Sequence, residues 1–546
     1  MAFEGSGTAA QTRQEFLRRS GAAVLAASAG GVLLDALGRP AAASAASTKS
    51  LTFALFQNPD TLDPAGTSLV STGQVLLSLF DPLVWYIPGS GGGDHVPGLA
   101  KSWKVSKDAT RYTFQLRDDV TFHDGTHFDA AAVKATFDHI VNPKTKAKSE
   151  LGSLGPFKQA VVHGKYTVEI VFAQPNAAFT NEMSTIFISS PVALKRYGAS
   201  YGQHPVGTGP FVFKQFVPGQ FVKVEQNPKY RWGPKSVHGG PALLSDITFR
   251  VLSDPSAQYN ALQTGELTMA QSLTPTDIVA ATSGGRFKRF SADAAGLPYS
   301  LVLNTQKPPT SDVRVRRALS YAVDKDAIIK TLYKGLYRPA TSLLTAATLG
   351  YSPSQNLYRH DPARAAKLLD QAGWTRKGSG TRSKGGEQMN LSIINAAGFG
   401  FDDITQLMQS QFASLGVKST ISDQAFPAVN ATYSKGVMHL SDWFYADVDP
   451  SFLGVLFTCG QIGSKGTGFN DARFCNPAVD KALAAAAGEA DPKKRAAMYD
   501  KVVHTLMGQA VAIPIYDLRY IYVGPSTLKG IAFTRDGGPL FHGVTY

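Results

Sequence analysis

The chain of 546 residues is poor in charge: Asp, Glu, Lys and Arg make up 17% of it, against ~25% in ordinary soluble domains. It has two cysteines, too few for a disulfide scaffold and too few to build a structural zinc site by themselves. No apolar run reaches the ~18–20 residues that a bilayer-crossing helix needs, which excludes an integral membrane body. The phosphate-binding pattern G-x-x-x-x-G-K-[ST] is absent, so the chain does not hydrolyse ATP itself. A lone S-x-x-K at Ser526–Lys529 has no supporting K-T-G, and no catalytic residue is assigned. The 11 histidines are dispersed; His123, Asp124 and His127 read as a loop around a D-G turn, and no metal or cofactor is expected.

What is present begins with the first 45 residues. Arg13, Arg18 and Arg19 precede the small apolar run Gly21–Leu34, and Ala41–Ala46 offers A-x-A cleavage choices. That order reads as a secretory signal peptide over 1–45. The stretch Thr12–Arg19 is similar to a twin-arginine export signal at Arg13, Phe16, Leu17 and Arg18, with Gln14 where the second arginine would stand. The route is open between twin-arginine and general secretion, and the expected location is periplasmic or cell-surface. No cysteine near the cleavage region could carry a lipid anchor.

In an oxidising compartment Cys459 and Cys475 are expected to pair, which stabilises by about 3 kcal/mol in the chain-entropy picture. The net charge is +13, but the denser patches, Lys144–Lys148 and Lys377–Lys384, have no interleaved aromatics. Nucleic acid is not an expected partner.

Periodicity gives the fold class, α/β. Tyr112, Phe114 and Leu116 alternate, as do Val168, Ile170 and Phe172, marking strands with one buried face. Gly207–Gln226 reads as two strands around Pro218-Gly219, and Asp246–Leu252 as another. The second half turns toward helix. Ser311 or Asp312 caps a predicted helix running through Leu332, and the pairs Asp361-Pro362, Asn476-Pro477 and Asp491-Pro492 each start one. Ile393–Asn395 and Val417–Ile421 are expected strands, and Ala512–Val523 is strand-like again. A chain that returns to its first composition suggests two lobes joined by more than one crossing. Ser90–Gly93 and Gly378–Gly386 are loops by composition.

The segment Pro97–Ile140 (PGLAKSWKVSKDATRYTFQLRDDVTFHDGTHFDAAAVKATFDHI) closely resembles the signature of family 5 extracellular solute-binding proteins, the oligopeptide, dipeptide and nickel-binding group of ABC importers. GTGPFVFKQF at Gly207–Phe216, NPKYRW at Asn227–Trp232 and DPSAQYNALQTGEL at Asp254–Leu267 follow in order. So do Leu303–Ile329, DPARAAKLLDQAGW at Asp361–Trp374 and DVDPSFLGVLF at Asp447–Phe457.

The resemblance implies a two-lobed periplasmic-binding-protein-like fold of type II, in its large subclass with an extra subdomain in lobe I. Lobe I would take 46–300 and a return over 518–546, and lobe II 301–517, with hinge strands near Leu297–Val302 and Asp517–Tyr522. It further implies a monomeric receptor, not an enzyme, that holds a small peptide or peptide-like solute between its lobes. The receptor would deliver that solute to a permease whose ATPase is separate. A saccharide or a metal chelate is the alternative cargo; an exported hydrolase is the alternative of another class.

On the ligand side the resemblance points to LSDWFYADVDP at Leu440–Pro450, with Trp443, Phe444, Tyr445 and Asp447. In peptide-binding relatives the equivalent strand pairs with the ligand backbone, and an acid three positions after the Trp meets the ammonium group. Here that position is Ala446, with Asp447 one residue along, facing the other way on a regular strand. Either a bulged backbone gives Asp447 the role or the contact is absent. Asn58 and Thr61, in the loop after the first strand, are the second candidates. Their loop reads equally well as an ordinary turn.

Overall fold

A computed structural model describes residues 50–88, 95–397, 401–425, 428–429, 432, 435–463 and 469–546. The signal peptide expected over 1–45 and the loop Ser90–Gly93 lie outside the described residues. Residues 48–546 hold together as one unit.

The first half carries β1 (Ser50–Leu55), β2 (Ala100–Val105), β3 (Arg111–Leu116), β4 (Phe157–Gly164) and β5 (Thr167–Phe172). It continues with β6 (Phe211–Val217), β7 (Phe221–Gln226), β8 (Asp246–Val251) and β9 (Phe287–Asp293). Two four-stranded sheets result, in the orders β1-β8-β7-β6 and β2-β3-β5-β4. The alternation seen in the sequence is realised: Tyr112, Phe114, Leu116, Val168, Ile170 and Phe172 all face the core. Gly219, at φ +76°, turns the β6–β7 hairpin, a backbone region that glycine enters without steric cost.

The second half contributes β10 (Gly296–Leu303), β11 (Asn390–Ala396), β12 (Lys418–Gln424), β13 (Leu440–Ala446) and β14 (Ala512–Tyr516). They form one sheet in the order β12-β11-β13-β10-β14. β15 (Arg519–Pro525) leaves that sheet and pairs antiparallel with β9. The strand-like run Ala512–Val523 is thus broken at Asp517 and Leu518, where the chain passes from one sheet to the other.

The three Asx-Pro pairs start helices as expected, Pro362–Gln371, Pro477–Gly488 and Pro492–Gly508, each with the Asx side chain accepting a first-turn N–H. The helix expected from Asp312 through Leu332 is two, Val313–Ala322 and Lys325–Tyr333. Val323 is extended, and the Asp324 carboxylate accepts Ala327 N–H and caps a fresh helix, a local bond that competes with continuing the first.

The apolar interior divides along the chain. One cluster draws its residues from Leu297 to Tyr516. Two others draw from 51–269 with 522–544 and from 65–232. Cys459 and Cys475 are joined as a disulfide.

Candidate functional site

A cavity of about 940 Å³ lies where these clusters meet. One wall comes from the helices Val70–Leu79, Ser149–Leu154 and Phe179–Glu182 and from the C-terminal segment around Tyr520 and Asp536. The other comes from the end of β13 and the helix Phe452–Phe457. Ala177 N–H donates to Ala487 O at 2.9 Å and Asn181 Nδ2 to Asp449 Oδ2 at 2.7 Å, tying the two walls together.

Of the residues singled out in the sequence, Tyr445 and Asp447 line this cavity. Regular alternation would aim Asp447 away from Ala446, but β13 ends at Ala446. Asp447 N–H donates to Ala295 O at 3.1 Å, and its carboxylate accepts Asp449 N–H at 2.9 Å. A turn, not a strand, sets its direction. Burial, with Asp449 close by, pushes its carboxyl up to about 7.

Trp443 and Phe444 are not in the cavity wall. The half-buried Trp443 packs against the second-half core, and its indole N–H donates to Asp471. Phe444, 39% exposed, meets the ring of Phe401 at 5.6 Å. Asn58 Oδ1 accepts Gly219 N–H at 2.6 Å, and its Nδ2 donates to Pro59 O, so it braces the β6–β7 turn. Thr61 Oγ1 accepts Asp63 N–H at 3.1 Å inside its own loop.

The structure adds wall residues that no motif marked. Glu150 is buried on the short helix Ser149–Leu154 and accepts Phe187 N–H at 3.0 Å; burial, with Asp63 nearby, raises its carboxyl to about 8. Glu182 ends the helix Phe179–Glu182, and burial followed by the charges of Asp447 and Asp449 raises it as well. Gln74, Lys148 and Tyr522 come from distant stretches of chain. Lys148 stood in the sequence as part of a basic patch and Tyr522 as part of an expected hinge strand, and only long-range packing brings them and Gln74 to one wall.

His123 Nε2 meets Gly209 O at 3.0 Å, Asp124 accepts the Ser190 hydroxyl at 2.7 Å, and His127 contacts Tyr166. These are loop-holding bonds. Among the described residues no group of three or more His, Cys, Asp or Glu could hold a metal ion, and no helix is long and apolar enough to cross a membrane. One G-x-S-x-G pentapeptide occurs, at Gly198–Gly202. Its Ser200 hydroxyl donates to Tyr197 O at 2.8 Å within the 3-10 segment Gly198–Gln203, which is not the strand-to-helix elbow a nucleophile of that motif requires.

The model of the bacterial extracellular solute-binding proteins, family 5 middle, matches residues 94–464. The glutathione-binding protein GsiB of Salmonella paratyphi A is 30% identical over 450 residues, 81% of this chain and 84% of that protein. NikA from Brucella suis, solved in complex with Fe(III)-EDTA, superposes with a TM-score of 0.79 at 26% identity, over 91% of this chain and 99% of that one. DppA from Helicobacter pylori, in complex with the peptide STSA, has a TM-score of 0.71 at 23% identity, over 91% and 98%.

Proposed function

The chain belongs to family 5 of the bacterial extracellular solute-binding proteins, the receptors of ABC importers, and on that premise we propose that its cargo is a peptide or peptide-like solute held in the 940 Å³ cavity. The observation that carries this reading is the end of β13. Tyr445 and Ala446 line the cavity, are exposed, and pair with Leu297 and Gly296 of β10 alone, so among the described residues no strand covers their other edge. An extended peptide laid along that edge hydrogen-bonds through its backbone and is read for length and ends more than for side chains.

Asp447 follows directly and is the acceptor for the cargo's ammonium group. Each backbone bond nets about 0.5–1.5 kcal/mol, and micromolar affinity needs about 8 kcal/mol. Several such bonds, the apolar surface of the wall and one charged contact reach that sum.

The two walls belong to two lobes, 46–295 with 518–546 and 296–517, the boundary moving from the expected 300 because all of β10 lies in the second sheet, and they open and shut about the crossings near Ala295 and Asp517. The cargo shifts that equilibrium only through its extra affinity for the shut form. The cargo leaves unaltered, to a permease whose ATPase is a separate chain; the receptor acts as an exported monomer. Mass spectrometry of material released by denaturing the purified protein tests the reading. Peptides of mixed sequence are the expected finding, and a single sugar or a metal chelate in their place overturns it.

A further inference from the structure

The carboxylates of the same cavity extend that reading, on which this inference rests, to the charge of the cargo. Glu150, Glu182, Asp447 and Asp536 all line the cavity. Among the described lining residues Lys148 is the one cation, and its Nζ is engaged by Asp60 Oδ2 at 2.9 Å. Arg495, behind the wall, is committed to Asp449. A terminal ammonium needs one carboxylate, and Asp447 supplies it. Glu150 and Glu182 come from the opposite wall without a cationic side-chain partner among the described residues, and the Glu182 carboxyl meets that of Asp447 across the cavity.

Gln74 is an independent mark on the same wall. It is 2% exposed; its Nε2 donates to Gln271 Oε1 at 2.7 Å, and its own Oε1 accepts no hydrogen bond. It is an acceptor left unmet within a residue of the cavity wall. Burial raises Glu150, Glu182 and Asp447, and a cation brought beside them favours their charged forms. Like charge brought into such a site is costly and opposite charge is favoured.

We propose that the cargo is a cationic peptide or peptide-like amine, carrying a positive side chain in addition to its terminal ammonium, with the second charge held by Glu150 and Glu182. Glutathione, with two carboxylates and one ammonium, would set a carboxylate against those groups and is disfavoured.

The test is titration calorimetry of the ligand-stripped full chain near neutral pH and at low salt. The probes are Ala-Lys-Ala, Ala-Ala-Ala, Ala-Glu-Ala and glutathione. The lysine peptide is expected to bind at least about tenfold more tightly than the glutamate peptide, with the neutral one between. Glu182→Gln should shrink that ratio, and Glu150→Gln with Glu182→Gln should shrink it further, melting curves confirming the fold; should the double variant not fold, the single one decides. Equal or tighter binding of the glutamate peptide or glutathione, or a ratio unchanged in Glu182→Gln, overturns the charge preference while leaving a peptide receptor in place. Binding of none of the four overturns the peptide reading and this inference with it.

Discussion

Asp449 is fully buried, and four donors hold it: Arg495 Nη1 and Nη2 at 2.6 Å each, Asn181 Nδ2 at 2.7 Å and Ser451 N–H at 2.9 Å. Burial alone would raise its carboxyl; the adjacent guanidinium overrides that and holds it below the usual range. Removing one partner of such a pair strands the other charge without water, at about 3–5 kcal/mol. Arg495→Met is therefore expected to lower the unfolding free energy by that amount in urea titrations, and Arg495→Met with Asp449→Asn by much less. Trp443 makes the complementary case. Its half-buried indole covers the second-half core and donates to Asp471. Trp443→Ala should lower the unfolding free energy by about 1–3 kcal/mol in urea titrations, less than the ~3–5 kcal/mol of a fully buried tryptophan. The aromatic run at 443–445 was conspicuous in the sequence, but alternation along β13 separates only Phe444 from the other two; of the three, Tyr445 alone lies far enough along the strand to reach the cavity, where the turn residue Asp447 joins it.

At the scale of the element, β10 and β13 meet at one close approach. Gly296 has φ +136°, and a Cβ there would lie 2.0 Å from Tyr445 O. Gly296→Ala must displace β13 at its cavity end. It is expected to weaken peptide binding and to lower the melting temperature together, read by calorimetry and by circular dichroism on one preparation. The disulfide closes residues 459–475, the loop that carries Asp471 to Trp443. Cys459→Ser should cost about 3 kcal/mol in oxidising buffer and nothing relative to the reduced wild type. Equal midpoints in oxidising buffer would show the bridge to be energetically idle. Elements whose signals are local were legible: the alternating strands, the Asx-Pro caps, the Pro218-Gly219 hairpin. The break at Val323 was less so, because apolar spacing continues across it and the decisive bond is one carboxylate to one N–H.

For the whole molecule, the raised carboxyls make cargo binding pH-dependent. Asp447 near 7 and Glu150 near 8 bind protons more tightly in the folded protein than in the unfolded chain, where such groups titrate at about 4. Their contribution to stability is thus full below about pH 4 and is lost as pH rises through about 7–8. The groups facing them are Asp63, Glu182, Asp449 and, at the rim, Lys148. A cationic cargo offsets the lost protons, so the rise in melting temperature caused by Ala-Lys-Ala should grow between about pH 6 and pH 8. A shift constant over that range would separate the cavity carboxyls from binding.

Composition, alternation and capping pairs were enough to determine the α/β class, most strands and helix starts and, through an ordered set of fragments, the family, because each depends on neighbours within a few positions. Beyond Tyr445 and Asp447, the cavity wall was decided by tertiary structure. Glu150, Glu182 and Gln74 meet Asp447 only after some three hundred residues of intervening chain have folded into two separate sets of sheets. Their charge matters only because that packing removes them from water.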